Sequence, residues 1–434
     1  MFENVLGQGA AGRLRDDLEA GRLAPAMLFL GPPASGKGTT ALELARVLSC
    51  EEESGSIRGK WNCACPSCAR HRYLLHQDLL LLGPRRFSAE TAAARKGLLG
   101  EPESPAASAL FVRSIRKLLG RFSPVLWEDD PGFGKFGGLI RSIEENLDEF
   151  ANTDRKKETL EKLCSSLAAD ALKLEEGAGE TVPVAHVRRA AYWSRLAPSG
   201  RMKFILIENA DRMQDGARNS LLKILEEPPE KAVIVLTTAV KGAVLATVQS
   251  RLRPYRFVQR DEPAEADVIR RIFRGPPGPS VAAYLDSFLP VPDEKLVPAA
   301  AFFIASLARG AALELRKRRL PLPPELAALG KYAAAAAAGT GQPVEDSRAV
   351  IASVIEYAGN FEGRSFPRFL AAALGLLAKE ARGEGVNNPR RIAYNEIWRK
   401  ASRGAAEAVG TWNQTPALAL ERMVLEIRGA MVNL

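Results

Sequence analysis

The sequence has little that would place the protein outside the cell or in a membrane. Its 434 residues include five cysteines, too few for a disulfide framework in a chain of this length. The first residues, MFENVLGQGAAGRLRDD, have no basic segment followed by an apolar stretch, and the early run AMLFLG is too short to span a bilayer. We therefore expect a cytoplasmic protein with no membrane partner.

The composition is that of a globular protein with a basic surface. A hydrophobic content of 46% is enough for buried cores, and the length predicts two or three domains. The net charge of +9 makes an anionic partner such as nucleic acid plausible, although the basic residues are scattered along the chain.

The segment GPPASGKGTT follows an apolar run and precedes a helical pattern, which is the setting of a phosphate-binding loop. Its backbone N–H groups and Lys37 would hold the phosphates of ATP. The usual motif has a hydroxyl after the lysine to bind Mg²⁺, but here Gly38 stands at that position. The candidate nucleotide-binding residues of the loop are Gly31, Ala34, Ser35, Gly36, Lys37, Gly38, Thr39 and Thr40. A glycine-rich turn without a ligand is the alternative.

Apolar runs at residues 78–84, 202–211 and 231–239 predict buried parallel strands in a doubly wound α/β domain. The second run leads into Glu208 and Asn209. Glu208 could reach a metal ion, but the amide of Asn209 cannot accept a proton from an attacking water. We therefore expect weak or absent ATP hydrolysis; simple solvation of Glu208 at the strand end is the alternative.

Four cysteines are grouped with the spacing C-x12-C-x-C-x2-C, which indicates a structural zinc site. The predicted ligands are Cys50, Cys63, Cys65 and Cys68. A cluster of reduced thiols is the alternative. Cys164 is expected to be a lone core cysteine, and His71 and His76 to be packing or surface residues, either of which could replace a cysteine ligand.

Two further regions have helical patterns. Residues 86–180 interrupt the strands and are predicted to form an inserted helical subdomain of unassigned function. After residue 257 the strand patterns stop, and Pro/Gly punctuation separates helices in the C-terminal half.

Several of these segments together resemble the bacterial clamp-loader ATPase family of DNA polymerase III. The most specific are ARNSLLKILEEPP at residues 217–229 and TVQSRLRPYRF at residues 247–257, together with the glycine loop and the cysteine cluster. The resemblance covers most of residues 1–85 and 180–315. IENADRM and the weakened loop are closer to the delta-prime type of subunit than to the gamma/tau type.

The resemblance implies the fold and its divisions. The expected fold class is α/β: an AAA+ P-loop module with a parallel sheet and a helical insertion, a small helical lid, and an all-α C-terminal collar domain. The expected boundaries are 1–259 for the module, with a zinc-binding segment at 50–68 and the insertion at 86–180, then 260–320 for the lid and 321–434 for the collar.

The resemblance also implies a function and partners. Arg251, in Ser250-Arg251-Leu252, matches an arginine finger that would act in trans on ATP bound to a neighbouring subunit. The implied partners are gamma/tau and delta subunits in a hetero-pentameric ring, the sliding clamp, and primer-template DNA. Zn²⁺ is the expected structural cofactor, with ATP and Mg²⁺ as candidate ligands. A surface ion pair is the alternative role of Arg251.

Two other functions remain open at this point. An active gamma/tau-type motor would require Thr39 and Glu208 to restore metal binding. A P-loop nucleoside-phosphate kinase would account for the GKGT loop, but it would not account for LEEPP followed by Ser-Arg.

Overall fold

The structure is a computed structural model, and it divides the chain into two compact units, Met1–Phe288 and Leu289–Leu434. It describes residues 1–52, 59–153, 156–179, 181–239, 244–337, 342–361, 365–381, 389–410 and 414–433. The boundary between the two units falls inside residues 260–320, which were expected to form the lid. The expected arrangement of module, lid and collar stays a prediction.

A five-stranded parallel sheet forms the centre of the first unit. Its strands are β1 (Ala26–Leu30), β2 (Leu79–Leu82), β3 (Lys203–Ile207), β4 (Ala232–Thr238) and β5 (Arg253–Arg256), in the order β2-β3-β4-β1-β5. The first four strands are the apolar runs predicted from the sequence. Strand β5, RPYR, was not predicted, because a polar segment with a proline reads as a strand only at the edge of a sheet.

Helices cover both faces of this sheet. They are α1 (Gly9–Glu19), α2 (Lys37–Leu48), α3 (Pro66–Arg72), α9 (Val184–Arg195), α10 (Asp215–Glu226) and α11 (Ala246–Gln249), of which α3 and α11 are short. The side chains of β3 alternate: Phe204 and Leu206 join the apolar cluster of α1 and α2, whereas Ile205 and Ile207 join that of α9 and α10. Because all strands are parallel, the segments that follow them meet at one edge of the sheet.

The segment predicted as an inserted subdomain is helical and has its own apolar core. Its helices are α4 (Ser88–Gly100), α5 (Pro105–Leu119), α6 (Pro124–Trp127), α7 (Gly134–Asn152) and α8 (Lys157–Gly177). Phe111 of α5, Ile143 of α7 and Leu167 of α8 are fully buried in that core. Residues 154, 155 and 180 of the predicted segment lie outside the described part.

The first unit ends with three short helical segments that pack on α4. They are α12 (Glu262–Val268), a π-helical turn (Ile269–Phe273) and α13 (Val281–Asp286). Phe273 and Tyr284 share a small apolar cluster with Ala93 of α4.

The second unit is all-α over its described residues. Its helices are α14 (Asp293–Lys317), α15 (Pro324–Ala328), α16 (Tyr332–Ala337), α17 (Ser347–Tyr357), α18 (Ser365–Ala381), α19 (Pro389–Gly410) and α20 (Pro416–Asn433). α14 is at the centre of the core, where Phe303 meets the rings of Phe369 and Trp398 edge-on. By length and composition α14 could cross a membrane, but 72% of its most apolar window is buried in this unit. The predicted fold class, α/β with a parallel sheet and an all-α C-terminal part, is confirmed.

Candidate nucleotide and zinc sites

The glycine loop joins β1 to the N-terminus of α2, so strand, loop and helix follow one another as predicted. Gly36 adopts φ +91°, a left-handed conformation that favours glycine. At Gly31, a Cβ would lie 2.4 Å from the carbonyl oxygen of Phe257, so a side chain there would collide with the backbone that follows β5.

Lys37 folds back onto its own loop. Its Nζ donates hydrogen bonds to the carbonyl oxygens of Gly31 at 2.7 Å and Pro32 at 2.6 Å, and it lies 3.4 Å from the Ser35 hydroxyl. Burial lowers the pKa of Lys37 to about 8, and the nearby carboxylate of Glu208 opposes that shift. The ammonium group is therefore held inside the loop by the chain's own carbonyls.

Arg260 holds the same loop from a second side and was missed in the sequence analysis. Its guanidinium donates to the carbonyl oxygens of Ala34 at 3.0 Å and Ser35 at 3.1 Å. Thr40 also turns inward, with its hydroxyl donating to the Gly36 carbonyl at 2.9 Å, while Thr39 is half-buried. Hydrogen bonds from Lys37, Thr40 and Arg260 thus hold the loop backbone at several carbonyl oxygens.

Glu208 lies at the carboxyl end of β3, where it is buried between two guanidinium groups. Arg85 Nη1 donates to its Oε1 at 3.1 Å, and Arg121 Nη2 donates to its Oε2. Burial would raise the pKa of Glu208, but Arg85 and Arg121 outweigh it, and the pKa lies below its usual range. The alternative considered from the sequence, simple solvation, does not describe Glu208, which is a buried carboxylate paired with two arginines.

Gly38 is in direct contact with this ion pair. A Cβ at residue 38 would lie 2.6 Å from Glu208 Oε1 and 3.4 Å from Arg85 Nη1. A serine or threonine side chain would therefore require the carboxylate to shift, and Arg85 and Arg121 hold that carboxylate in place. Glycine at residue 38, which supplies no hydroxyl, therefore leaves room for the ion pair between Glu208 and Arg85.

Asn209 has a structural role at the end of the same strand. Its backbone is left-handed, with φ 50°, and its side-chain amide donates to the Pro84 carbonyl at 2.7 Å. The next acid, Asp211, accepts a hydrogen bond from the Thr238 hydroxyl at 2.6 Å. With the hydroxyl missing, Glu208 occupied and no carboxylate at residue 209, these residues do not fit a catalytic Mg²⁺ ion.

The helical subdomain contributes to this site, which the sequence analysis did not foresee. Glu90 of α4 accepts from Arg85 at 2.6 Å and from Lys117 of α5. Arg121 follows α5 and also donates to the Gly83 carbonyl at 3.1 Å. Arg85 could have been suspected, because it follows β2 at the edge where the other site residues meet, but the remaining partners are remote in sequence.

The four predicted cysteine ligands are brought together. Their sulfur atoms all lie within 4.8 Å of one another, with Cys50 Sγ 3.7 Å from Cys63 Sγ and 4.0 Å from Cys65 Sγ. A tetrahedral ion with Zn–S bonds of about 2.3 Å would place its sulfurs about 3.8 Å apart. Four thiols and no other ligand fit a closed, structural zinc site. Residues 53–58 of the expected zinc segment, 50–68, lie outside the described part.

Arg46 attaches the cysteine segment to α2 and was not singled out from the sequence. It is buried against Glu43 at 2.9 Å, and it donates to the carbonyl oxygens of Lys60 at 2.8 Å and Gly59 at 2.9 Å. Its Nη1 also lies 3.5 Å from Cys68 Sγ. A fixed positive charge at this distance favours the thiolate form that zinc requires.

His71 and His76 are packing residues rather than members of the sulfur cluster. Their rings stack with centroids 4.2 Å apart, and both side chains are buried. His76 Nε2 lies 3.0 Å from the hydroxyl of Ser67. Among the described residues, the group able to hold a metal consists of the four cysteines.

Arg251 lies at the surface, just after α11. Its Nη2 donates to Glu226 Oε1 at 2.7 Å and its Nη1 donates to the Thr247 carbonyl at 2.6 Å, and 34% of its side chain is exposed. The surface ion pair considered as an alternative is therefore present in this state. Leu252 is buried in the core beside α10.

Comparison with known proteins gives a family match over more than half of the chain, together with partial matches to individual proteins. A family model described as "DNA polymerase III, delta subunit" matches residues 8–123 and 148–261, more than half of the chain. The unmatched residues 124–147 lie within the helical subdomain. The residues around Glu208 that come from β2 and from this subdomain all lie in matched sequence: Arg85, Glu90, Lys117 and Arg121.

A curated relative, DNA polymerase III subunit delta' of Yersinia pestis, is 42% identical over 55 residues. That alignment spans 13% of this chain and 16% of the relative. A solved DNA polymerase III gamma subunit-related protein from Thermotoga maritima is 17% identical, with 58% of this chain and 81% of that chain covered. Its TM-score is 0.26, which supports no conclusion about this chain.

Proposed function

Because the chain belongs to the family described as DNA polymerase III, delta subunit, we propose that it is a clamp-loader subunit of the delta-prime type. In this proposal it joins gamma/tau and delta subunits in a five-membered ring in the cytoplasm. The ring loads the sliding clamp onto primer-template DNA. The chain contributes structure and an arginine finger rather than ATP hydrolysis of its own.

The observation that carries this proposal is the state of Glu208. In a working P-loop ATPase an acid at this strand end assists Mg²⁺ and the attacking water. Here both of its carboxylate oxygens are occupied by guanidinium groups, and Gly38 supplies no hydroxyl. These contacts favour a subunit with a silent site over the gamma/tau-type motor, in which Thr39 and Glu208 would have to bind the metal.

Arg251 is the group proposed to act on a neighbouring subunit. Its guanidinium is at the surface, and its hydrogen bonds go to Thr247, Ser250 and Glu226. An exposed ion pair of this kind contributes little stability, so Arg251 can leave Glu226 at low cost when a γ-phosphate is presented. Its fixed, planar charge suits the negative charge that develops during phosphoryl transfer.

The zinc site is proposed to be structural. Four cysteines leave no ligand position open for a substrate, and three of them are fully buried. Zinc would fix the segment after α2 and, through Arg46, the C-terminal end of that helix. No catalytic step involves it.

The test of the proposed finger is a loader reconstituted from this chain and its partner subunits, with ATPase measured in the presence of clamp and primed DNA. Arg251→Ala is expected to abolish hydrolysis at the one neighbouring site that it faces while leaving ring assembly intact. The matched control is Arg253→Ala, an arginine 61% exposed on β5. Unchanged DNA-stimulated hydrolysis with Arg251→Ala would show that the arginine has only its surface ion pair.

A further inference from the structure

Arg85 places a positively charged nitrogen beside residue 38. A metal-binding hydroxyl at residue 38 would need both its own space and a free carboxylate oxygen beside it. The space is taken by Glu208 Oε1, 2.6 Å from the position of a Cβ, and the next atom is Arg85 Nη1 at 3.4 Å. A guanidinium nitrogen therefore lies beside the place that a side chain at residue 38 would occupy. We propose that Arg85 takes the place of the divalent cation at this P-loop and excludes Mg²⁺ from it.

The charges around Glu208 support this inference, which rests on the silent site proposed above. The carboxylate is already neutralised by Arg85 and Arg121, and Lys37 lies close enough to interact with both Glu208 and Arg85. A Mg²⁺ ion would add two positive charges beside three existing ones. It also requires near-octahedral oxygen ligands, and the carboxylate beside residue 38 already accepts a guanidinium hydrogen bond on each oxygen.

Arg85 is fixed in this position from its other side. Its Nη2 donates to Glu90 Oε2 at 2.6 Å, and Glu90 is held in turn by Lys117. The guanidinium thus bridges the two acids, Glu208 of the sheet and Glu90 of α4, and cannot swing away without leaving Glu90 buried beside Lys117 alone. The first two helices of the inserted subdomain, α4 and α5, therefore position Arg85, with Glu90 as the residue that contacts it.

The experiment measures the affinity of the full-length chain for a fluorescent ATP analogue, in Mg²⁺ and in EDTA. For the unaltered chain the two affinities are expected to agree within about twofold, or binding is expected to be absent in both. Gly38→Thr combined with Arg85→Ala restores the hydroxyl and frees Glu208 Oε1, so Mg²⁺ is expected to tighten binding by about tenfold or more. The matched control, Arg86→Ala, changes the exposed arginine next in sequence and should behave as the unaltered chain.

Either of two results would overturn the inference. One is a tenfold or larger effect of Mg²⁺ on the unaltered chain, which would mean that Arg85 tolerates the ion; the other is no Mg²⁺ effect in a folded double variant. Folding is checked by melting temperature and zinc content. If the double variant does not fold, Arg85→Ala alone decides, with a gain of about threefold in Mg²⁺ expected from the freed oxygen. No gain there would also overturn it.

The role given to Arg85 and the proposed function can be contradicted separately. Steady-state ATP hydrolysis by the unaltered chain would contradict the silent site itself. A silent chain whose variants gain no Mg²⁺ dependence would contradict only the role given to Arg85.

Discussion

At the scale of single residues, Glu208 and its two guanidinium partners set the charge of the candidate nucleotide site. The strand-end acid and the missing hydroxyl could both be read from the sequence, because each belongs to a known spacing around the loop. The partners of Glu208 could not, since Arg121 is 87 residues away in the chain and reaches the site through a helical subdomain without a motif. Local patterns identify a site, but long-range ion pairs decide its charge.

His71 gives a prediction at this scale. Burial lowers its pKa to about 2, with the neighbouring His76 adding to the shift, and neither ring nitrogen has a hydrogen-bond partner among the described residues. Between pH 6.5 and pH 2 the unfolded chain binds the proton and the folded chain does not, so stability falls as the pH falls below 6.5. By pH 5 the protonation of His71 in the unfolded chain has lowered the free energy of unfolding by about 2 kcal/mol.

His71→Phe should therefore lose less stability than the unaltered chain when the pH is lowered from 7 to 5. The measurement is urea unfolding at the two pH values, with the pH-dependent loss compared between the chains. Tyr73→Phe, at an exposed position close by, is the control and should keep the full loss. Equal losses in all three chains would show that the buried imidazole does not resist protonation.

At the scale of elements, the sequence predicted what local pattern can specify. Four apolar runs became buried strands, and the cysteine spacing became a cluster of four sulfurs. Strand β5 was missed because its polar residues give no alternation, and its place at the edge comes only from pairing with β1. The helices of the inserted subdomain were expected, but their contact with Glu208 depends on tertiary packing.

The cysteine segment gives the prediction for this scale. Cys63→Ser removes a fully buried thiol of the proposed zinc site, so the purified chain should lose zinc and melt at a lower temperature, because metal binding contributes to folding free energy. Metal analysis and thermal unfolding, with and without a chelator, measure both effects. The control is Cys164→Ser, a buried cysteine of α8 outside the cluster, which should retain about one zinc per chain.

The zinc assignment has a clear contrary result. If the unaltered protein contains no metal and its melting does not respond to a chelator, the four cysteines are reduced thiols. The alternative considered from the sequence would then be correct.

At the scale of the whole molecule, the family match lies entirely within the first unit. Residues 8–123 and 148–261 all precede the division at Phe288, so the collar role expected of the second unit rests on its position in the chain and on the helices of its described residues. The loop proposed to be silent and the proposed finger, Arg251, also belong to the first unit. The proposed division of labour is therefore between this chain and its neighbours in the ring.

That division of labour predicts the behaviour of the isolated protein. With clamp and primed DNA but no other loader subunit, the chain should hydrolyse ATP no faster than its Lys37→Ala variant. The reason is that Glu208 is engaged by Arg85 and Arg121, so removing the loop lysine takes away no working catalyst. Turnover that disappears with Lys37→Ala would identify a gamma/tau-type motor instead. Turnover that required AMP and yielded ADP from it would indicate a nucleoside-phosphate kinase, a function for which LEEPP and Arg251 would have no use.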